Sequence, residues 1–489
     1  MLFRQIFDST LAQYAYLVGC QQTKEALIID PQRDIDRYVD IAKSEGLKIT
    51  CVAETHIHAD FLSGAREFAE QYGTVTYLSD EGTDDWKYQW PAGKRRNGSA
   101  YDVVLLKDGD VFTVGNIDIT ANYTPGHTPE HLSYLITDRG GGATKPMGIA
   151  TGDFVFVGDL GRPDLLEQAA GIHGMQEPAA RQLYNSLSRF TDLQDYLQVW
   201  PGHGAGSSCG KALGAVPTTT VGYERMYNAS LGVANSGEDA FVDAILSGQP
   251  EPPLYFARMK KANKVGPRLL GALPRPEKLS AAEFARTVSE SRSLVVDTRL
   301  DRVAYMARHV PGSQYAPLNK SFNTVVGSLV EDETQAITLI VDDRDVERAV
   351  RDLIRIGYDN IVSYTDIATL EAYFEGGGAS SSVEVIDFED VARLIQDEEY
   401  AVVDTRYLSE YESGHVPGAI NASYTRLAEH VEDRMPEGKT LLVHCQGGGR
   451  AAPASSYLSR RGYDVKFVND AVAKFKAATS PAGKDAVRI

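Results

Sequence analysis

Four cysteines in 489 residues, Cys20, Cys51, Cys209 and Cys445, are too few and too scattered for a disulfide framework. Such usage fits a reduced compartment, where a thiol is buried filler or a reactive group, and the expected location is cytoplasmic. No apolar run approaches the length of a transmembrane helix. The opening stretch is broken by Arg4, Gln5, Asp8 and Gln13, so it does not read as a secretory signal. Basic residues are also in short supply, 49 Lys and Arg against 67 Asp and Glu, for a net charge of −18. That balance argues against nucleic acid or an anionic membrane as the main partner. The local exception, Lys94-Arg95-Arg96, reads as a solvated loop.

The chain is too long for one hydrophobic core, which implies roughly two to four domains. Strands FRQIF, YAYLVG and EALIID open it. An amphipathic helix over about Arg33–Glu45 and a strand from Ile49 to Thr55 follow, and the alternation continues to about Leu246. This is the pattern of a layered α/β domain, placed at 1–250. The Pro-, Gly- and Lys-rich span 251–278 reads as a linker, and Glu375–Ser382 (EGGGASSS) as a second, flexible one. Around the second linker lies an internal repeat. LVVDTRLDRVAYMARHVPGSQY from Leu294 matches AVVDTRYLSEYESGHVPGAIN from Ala401, at an offset of roughly 105 residues. Two further α/β domains are therefore expected, at 279–376 and 383–489.

In the first domain four short turns carry metal-capable side chains. They are Thr55-His56-Ile57-His58-Ala59-Asp60, Thr124-Pro125-Gly126-His127, Thr151-Gly152-Asp153 and Pro201-Gly202-His203. Each follows an apolar run, so the four loops are expected to converge at one sheet edge. A lone histidine is usually structural; this ordered set is far more specific. It resembles the metallo-β-lactamase superfamily, which implies an αββα sandwich. In that superfamily the first motif is HxHxDH and its last His serves a second metal. Here that position is Phe61, which cannot coordinate. The departure favours one metal on His56, His127 and Asp153. Two imidazoles and a carboxylate form the ligand set of non-haem Fe(II) oxygenases.

Within the superfamily the pattern resembles the persulfide dioxygenases, and the resemblance extends to Gly161-Arg162-Pro163-Asp164. It implies one Fe(II) per chain on His56, His127 and Asp153. His58, Asp60 and His203 would then orient ligands or water, and Arg162 would brace the site. Gly204–Lys211 is similar to a phosphate loop, but Ala205 stands where its first Gly is needed, so nucleotide hydrolysis is rejected. The same segment resembles multidomain persulfide dioxygenase–rhodanese fusions, in which a cysteine at the position of Cys209 lies close to the iron. Cys209 either relays sulfane sulfur or packs inertly.

The second repeat contains Leu441-Leu-Val-His-Cys445-Gln-Gly-Gly-Gly-Arg450, an apolar strand running into a Gly-rich loop and then a helix. Inward-turned amides, the helix N-terminus and Arg450 suit a thiolate nucleophile. With Asp404, Arg406, Glu410 and Gly414–Ala419 this resembles the rhodanese family; related phosphatases have a longer Cys-to-Arg loop. The first repeat has Asp342-Asp343-Arg344 where the loop would start and no Cys, and it reads as a catalytically silent rhodanese-like domain.

The expected fold is thus a metallo-β-lactamase αββα sandwich followed by two rhodanese-like α/β domains. The resemblance implies a persulfide dioxygenase that oxidises a low-molecular-weight thiol persulfide with O2 to sulfite. It couples this to thiosulfate sulfurtransfer among persulfide, sulfite and thiosulfate, in sulfide detoxification, in a homo-oligomer. The main alternative is a thioester hydrolase like glyoxalase II, with a metal centre. A persulfide-sensing scaffold with a vestigial metal site is a further one. The thiol carrier is not readable from the residues.

Overall fold

Short alternating segments joined by turns open the chain, and they pair as antiparallel strands, Leu2–Asp8 with Gln13–Gly19 and the latter with Glu25–Ile29. The structure, a computed structural model, describes residues 1–165, 174–211, 213–216 and 218–478. It divides into two compact units. One comprises Met1–Gln249 and Tyr255–Ala272; the other comprises Pro250–Leu254 and the chain from Leu273 onward. Among the described residues no helix is long and apolar enough to cross a membrane.

The first unit is built on two six-stranded sheets. In the first, the three N-terminal strands continue into Lys48–Ala53, Val75–Ser79 and Val103–Leu106, which pair in parallel. In the second, Val111–Val114, Ile117–Tyr123, Leu132–Asp138 and Gly148–Gly152 pair antiparallel in turn, and Gln198–Pro201 then joins Gly148–Gly152 in parallel. Between the sheets lies a core that includes Val18, Leu27, Ile29 and Ala53 with Phe112, Ile119, Tyr134 and Trp200. Helices Asp36–Ser44 and Ala65–Tyr72 cover one outer face through Tyr38 and Phe68. Helices Gln176–Thr191 and Glu238–Leu246 cover the other through Leu183, Phe190 and Phe241. The result is helix, sheet, sheet, helix, because each sheet has two apolar faces to bury.

The span 251–278, expected as a linker, is partly structured. Tyr255–Val265 is a helix that buries Tyr255, Phe256, Met259 and Asn263 within the first unit. Its polar anchor is Asn263, whose Nδ2 donates to the carbonyls of His58 and Phe61 at 2.8 and 2.7 Å and whose Oδ1 accepts from Ser63 N at 2.9 Å. Composition marked the span as a break; the apolar spacing inside it decided the helix.

The second unit contains two five-stranded parallel sheets with the same strand order. One runs Glu277–Lys278, Ile361–Thr365, Ile337–Ile340, Leu294–Asp297, Gln314–Tyr315. The other runs Glu384–Ile386, Val465–Val468, Thr440–His444, Tyr400–Asp404, Ile420–Asn421. The internal repeat in sequence is therefore a repeat in topology. The segment 375–382, expected to be flexible, is pinned: the amides and carbonyls of His309 and Ser381 exchange hydrogen bonds at 3.0 and 2.8 Å, and Tyr373 Oη donates to Ala379 O.

Candidate metal centre and cysteine loop

His56 follows strand Lys48–Ala53, His127 follows Ile117–Tyr123, Asp153 follows Gly148–Gly152 and His203 follows Gln198–Pro201. The parallel pairing of the last two strands puts their C-terminal ends side by side. One ligand atom from each of His56, His127 and Asp153 lies within 4.8 Å of the others, and all three residues are buried. Close packing explains the glycines of the motifs. A Cβ at Gly161 would sit 1.8 Å from the Asp153 carbonyl oxygen, and one at Gly202 would sit 2.5 Å from Asp153 Oδ1.

Hydrogen bonds settle the histidine tautomers. Thr55 Oγ1 donates its one proton to Asp30 Oδ2 at 2.8 Å, so at 2.9 Å from His56 Nδ1 it acts as acceptor. The carbonyl of Arg162 accepts from His127 Nδ1 at 2.9 Å. Both imidazoles therefore turn an unprotonated Nε2 inward. Burial works in the same sense, holding His56 well below its ordinary pKa and His127 at about 3. Burial also raises the Asp153 carboxyl to about 6. Neither oxygen of Asp153 has a hydrogen-bond partner among the described residues. A buried carboxylate left without donors and faced by two lone pairs is costly unless a cation sits among them. These residues fit a single metal ion.

His58 is aimed elsewhere. Its Nε2 lies 3.2 Å from Asp30 Oδ1 and 3.3 Å from Glu54 Oε2, and its ring rests 4.4 Å from that of Phe61. Burial disfavours its charged form, but Asp30 and Glu54 outweigh this and hold its pKa well above the ordinary value. Asp30 adopts φ 51°, a left-handed conformation unusual for a residue with a side chain, at the end of strand Glu25–Ile29.

His203 Nε2 lies 3.5 Å from both Asp60 Oδ2 and Asp153 Oδ1. Asp60, His203 and Cys209 form a second group within 4.8 Å, next to the first. Burial raises Asp60 to about 6 and pushes the Cys209 thiol well above its ordinary value. Arg162 is fully buried. It grips Asp164 through Nε and Nη2 at 2.8 and 2.6 Å and donates through Nη1 to Ser208 O and through its backbone amide to Cys209 O. One residue thus ties the His127 ring to the Cys209 loop.

Lys211 is spent on helix Glu238–Leu246, donating to Ala244 O and Ser247 O, which removes it from any phosphate role. Arg95 donates through its guanidinium to the Glu70 carbonyl, and the backbone amide of Arg96 donates to the Glu70 carboxylate.

Sequence reasoning missed Asp30, Glu130 and His131 and gave Thr55 no role of its own. Glu130 Oε1 accepts from Ile57 N at 2.7 Å, and His131 accepts from Asp153 N. Their signal was present in the run His127-Thr128-Pro129-Glu130-His131, which holds more polar groups than the ligand set requires.

In the second unit Cys445 follows the central strand Thr440–His444, buried, and its Sγ accepts from Gly448 N at 3.1 Å. Arg450, expected at the sulfur, lies in a two-pronged pair with Glu410, with Nη2 2.7 Å from Oε1. Asp404 and Arg406 form a second, buried pair, closing at 2.6 Å. At the equivalent place in the other repeat Asp342 and Asp343 are substantially exposed, and Asp343 is bound to Lys278 at 2.7 Å.

Two packed mixed sheets with a His/Asp cluster at one edge define a metallo-beta-lactamase fold, and a parallel domain with a Cys-to-Arg loop follows it. Residues 9–203 match the metallo-beta-lactamase superfamily and residues 387–478 the rhodanese-like domain. The crystal structure of a metallo-beta-lactamase from Staphylococcus aureus is 40% identical, covering 75% of this chain and 98% of that one, with a TM-score of 0.64. The chain belongs to the metallo-beta-lactamase superfamily. A beta-lactamase hydrolase-like protein of Xylella fastidiosa is 30% identical over 55% of this chain, and the match spans 61% of that relative's length. Human mitochondrial persulfide dioxygenase ETHE1 is 26% identical, over 42% of this chain and 68% of its own. The expected fold class, a metallo-β-lactamase domain followed by a rhodanese-like domain, therefore holds. The rhodanese match falls on the repeat that carries Cys445.

Proposed function

We propose that the first unit is a mononuclear iron persulfide dioxygenase and that Cys445 carries sulfur in a coupled sulfurtransferase. The carrying observation is the 2-His-1-carboxylate set of His56, His127 and Asp153, with Phe61 at the second-metal position and His58 turned to Asp30 and Glu54. Similarity to persulfide dioxygenases supports the substrate class.

Bound at His56, His127 and Asp153, ferrous iron would supply the redox chemistry that lets O2 react with sulfur, from positions the three ligands leave open. The chain's own residues set the stage. Thr55 and Arg162 hold the two imidazoles neutral and aimed. Asp60 and His203 form a polar wall beside Asp153, fit to hold water. The balanced reaction is RSSH + O2 + H2O → RSH + SO3²⁻ + 2 H⁺. The outer S–S bond breaks, the outer sulfur is oxidised and O2 is reduced.

At Cys445 a persulfide sulfur passes to sulfite: Cys–S–S⁻ + SO3²⁻ → Cys–S⁻ + S2O3²⁻. The S–S bond breaks, its electron pair stays on Cys445, and the Gly448 amide stabilises that thiolate. One chain holding both activities keeps sulfite near the persulfidated cysteine at high effective concentration. In this reading the Cys-less repeat 279–376 is a second, non-transferring rhodanese-like domain. Four free cysteines suit a reducing cytoplasm.

One observation favours a second reading. Asp60, His203 and Cys209 offer carboxylate, imidazole and thiol donors, a set suited to zinc, beside the first group. Two bound zinc ions would make the unit a hydrolase acting on thioesters. The deciding experiment is O2 uptake across a panel of thiol persulfides, with iron and zinc quantified in the same sample. One iron per chain with sulfite formed supports the dioxygenase. Fully iron-loaded protein that takes up no O2 with any persulfide sinks it.

A further inference from the structure

The Cys-less repeat reaches the cysteine loop of its neighbour. Arg302 opens helix Arg302–Ala307, which Asp301 caps by accepting from Val303 N and Ala304 N. Its guanidinium points out of its own repeat: Nε donates to Asn469 Oδ1 at 2.8 Å and Nη2 to the carbonyl of Gly447 at 3.2 Å. That carbonyl belongs to the same peptide unit as the Gly448 N–H, the group that donates to Cys445 Sγ at 3.1 Å. A trans peptide is planar and its C=O and N–H point in opposite directions. A cation held on the outer oxygen therefore turns the N–H toward the sulfur and polarises it. The fit leaves no slack. Gly448 has φ 91°, and a Cβ there would lie 2.6 Å from Asn469 Oδ1 and 3.2 Å from Arg302 Nε.

The far end of the loop is anchored by the same repeat. Helix Ala451–Arg460 leaves the loop and meets the edge strand Gln314–Tyr315. Gln314 Nε2 donates to Ser456 Oγ at 2.8 Å and to Pro453 O at 3.1 Å, and Tyr315 N donates to Ser456 Oγ at 3.0 Å. The loop's own domain places around it Arg450 with Glu410, and Asp404 with Arg406, beside His444, which burial holds below its ordinary pKa. The neighbouring repeat adds Arg302 with the Asp301 cap beside it, and Glu331, which accepts from Tyr457 Oη at 2.8 Å and pairs with Arg461 along the helix.

We propose that the Cys-less repeat is a working part of the Cys445 site, with Arg302 as a positioning residue that aims the Gly448 amide at the sulfur. This rests on the reading of Cys445 as the sulfur carrier and gives the repeat without a nucleophile a defined task.

The test uses the full chain. Alkylation of Cys445 by iodoacetamide is followed against pH by peptide mass spectrometry, which separates it from the other three cysteines. Sulfur transfer from persulfidated Cys445 to sulfite is measured alongside. Arg302→Ala is expected to move the alkylation profile upward by about half a pH unit or more and to slow transfer about fivefold to tenfold. Arg302→Lys recovers part of both, because an ammonium still donates to the Gly447 carbonyl. Asn469→Ala, which frees the guanidinium, shifts the profile in the same direction but less. A profile for Arg302→Ala that overlays the unaltered protein overturns the proposal. Should that variant unfold the unit, overlaying profiles for Arg302→Lys and Asn469→Ala overturn it instead. The underlying reading fails separately, if Cys445→Ser still transfers sulfur; the alkylation profile reads only the thiol.

Discussion

His131 Nε2 accepts the backbone N–H of Asp153 at 3.1 Å, while His131 Nδ1 lies 2.9 Å from Thr124 Oγ1. The ring also stacks on His56, with centroids 5.1 Å apart. One histidine outside the proposed ligand set thus holds the backbone of Asp153 and packs on the ring of His56. His131→Ala should weaken metal binding about 10–100-fold while leaving all three ligands in place. Titration of the metal-free protein with Fe(II) or a spectroscopic surrogate checks this; unchanged affinity would make His131 a packing residue only.

Removing the metal should cost stability for a reason local to Asp153. Neither of its buried oxygens has a hydrogen-bond partner among the described residues, and a bound cation would compensate them. A chelator is expected to lower the melting temperature of the first unit by about 5 °C or more. Asp153→Asn should abolish most of that difference, since the neutral amide leaves little uncompensated charge in either state. A chelator effect of equal size in the variant would place the stabilising ion elsewhere.

Arg162 and Asp164 form a fully buried pair, 0% and 1% exposed, so neither charge can be relieved by water if its partner is lost. Arg162→Ala should destabilise the first unit by about 3–5 kcal/mol, and Arg162→Met combined with Asp164→Leu by much less. Tryptophan fluorescence during denaturant unfolding reports this unit selectively, because Trp86, Trp90 and Trp200 all belong to it. Additive losses in the double variant would mean the two residues act independently.

Glu410 holds the Arg450 guanidinium in a bidentate pair beside the cysteine loop, and Arg450 in turn lowers the pKa of the Glu410 carboxyl against the effect of burial. Glu410→Gln leaves the Arg450 charge uncompensated. An unpaired cation favours the thiolate, so alkylation of Cys445 at pH 7 should accelerate about twofold to fivefold. Slower alkylation would show that the pair matters as a scaffold that holds Arg450 in place.

Much of this molecule could be read along the chain because its signals are local. Each ligand turn is a short run of Gly, Pro or Thr around one His or Asp at a strand end, and Cys445 sits in a loop whose glycines declare its shape. Phe61 is legible for the same reason: a phenyl ring cannot coordinate wherever it points. The helix Tyr255–Val265 was hidden because composition marked its surroundings as a break, although Tyr255, Phe256 and Met259 have helical spacing.

The chain alone determined the residue types at both sites, the repeat, and the metallo-β-lactamase-then-rhodanese order. Only the tertiary structure decided which nitrogen of His56 and His127 faces inward, because Thr55, Asp30 and the Arg162 carbonyl that set the tautomers come from different loops. It alone turned His58 toward Asp30 and Glu54, and clamped Arg450 with Glu410. It also brought Arg302 to Gly447, 145 residues further along the chain. Side-chain chemistry is written residue by residue; the direction in which a buried polar group points depends on partners that only folding supplies.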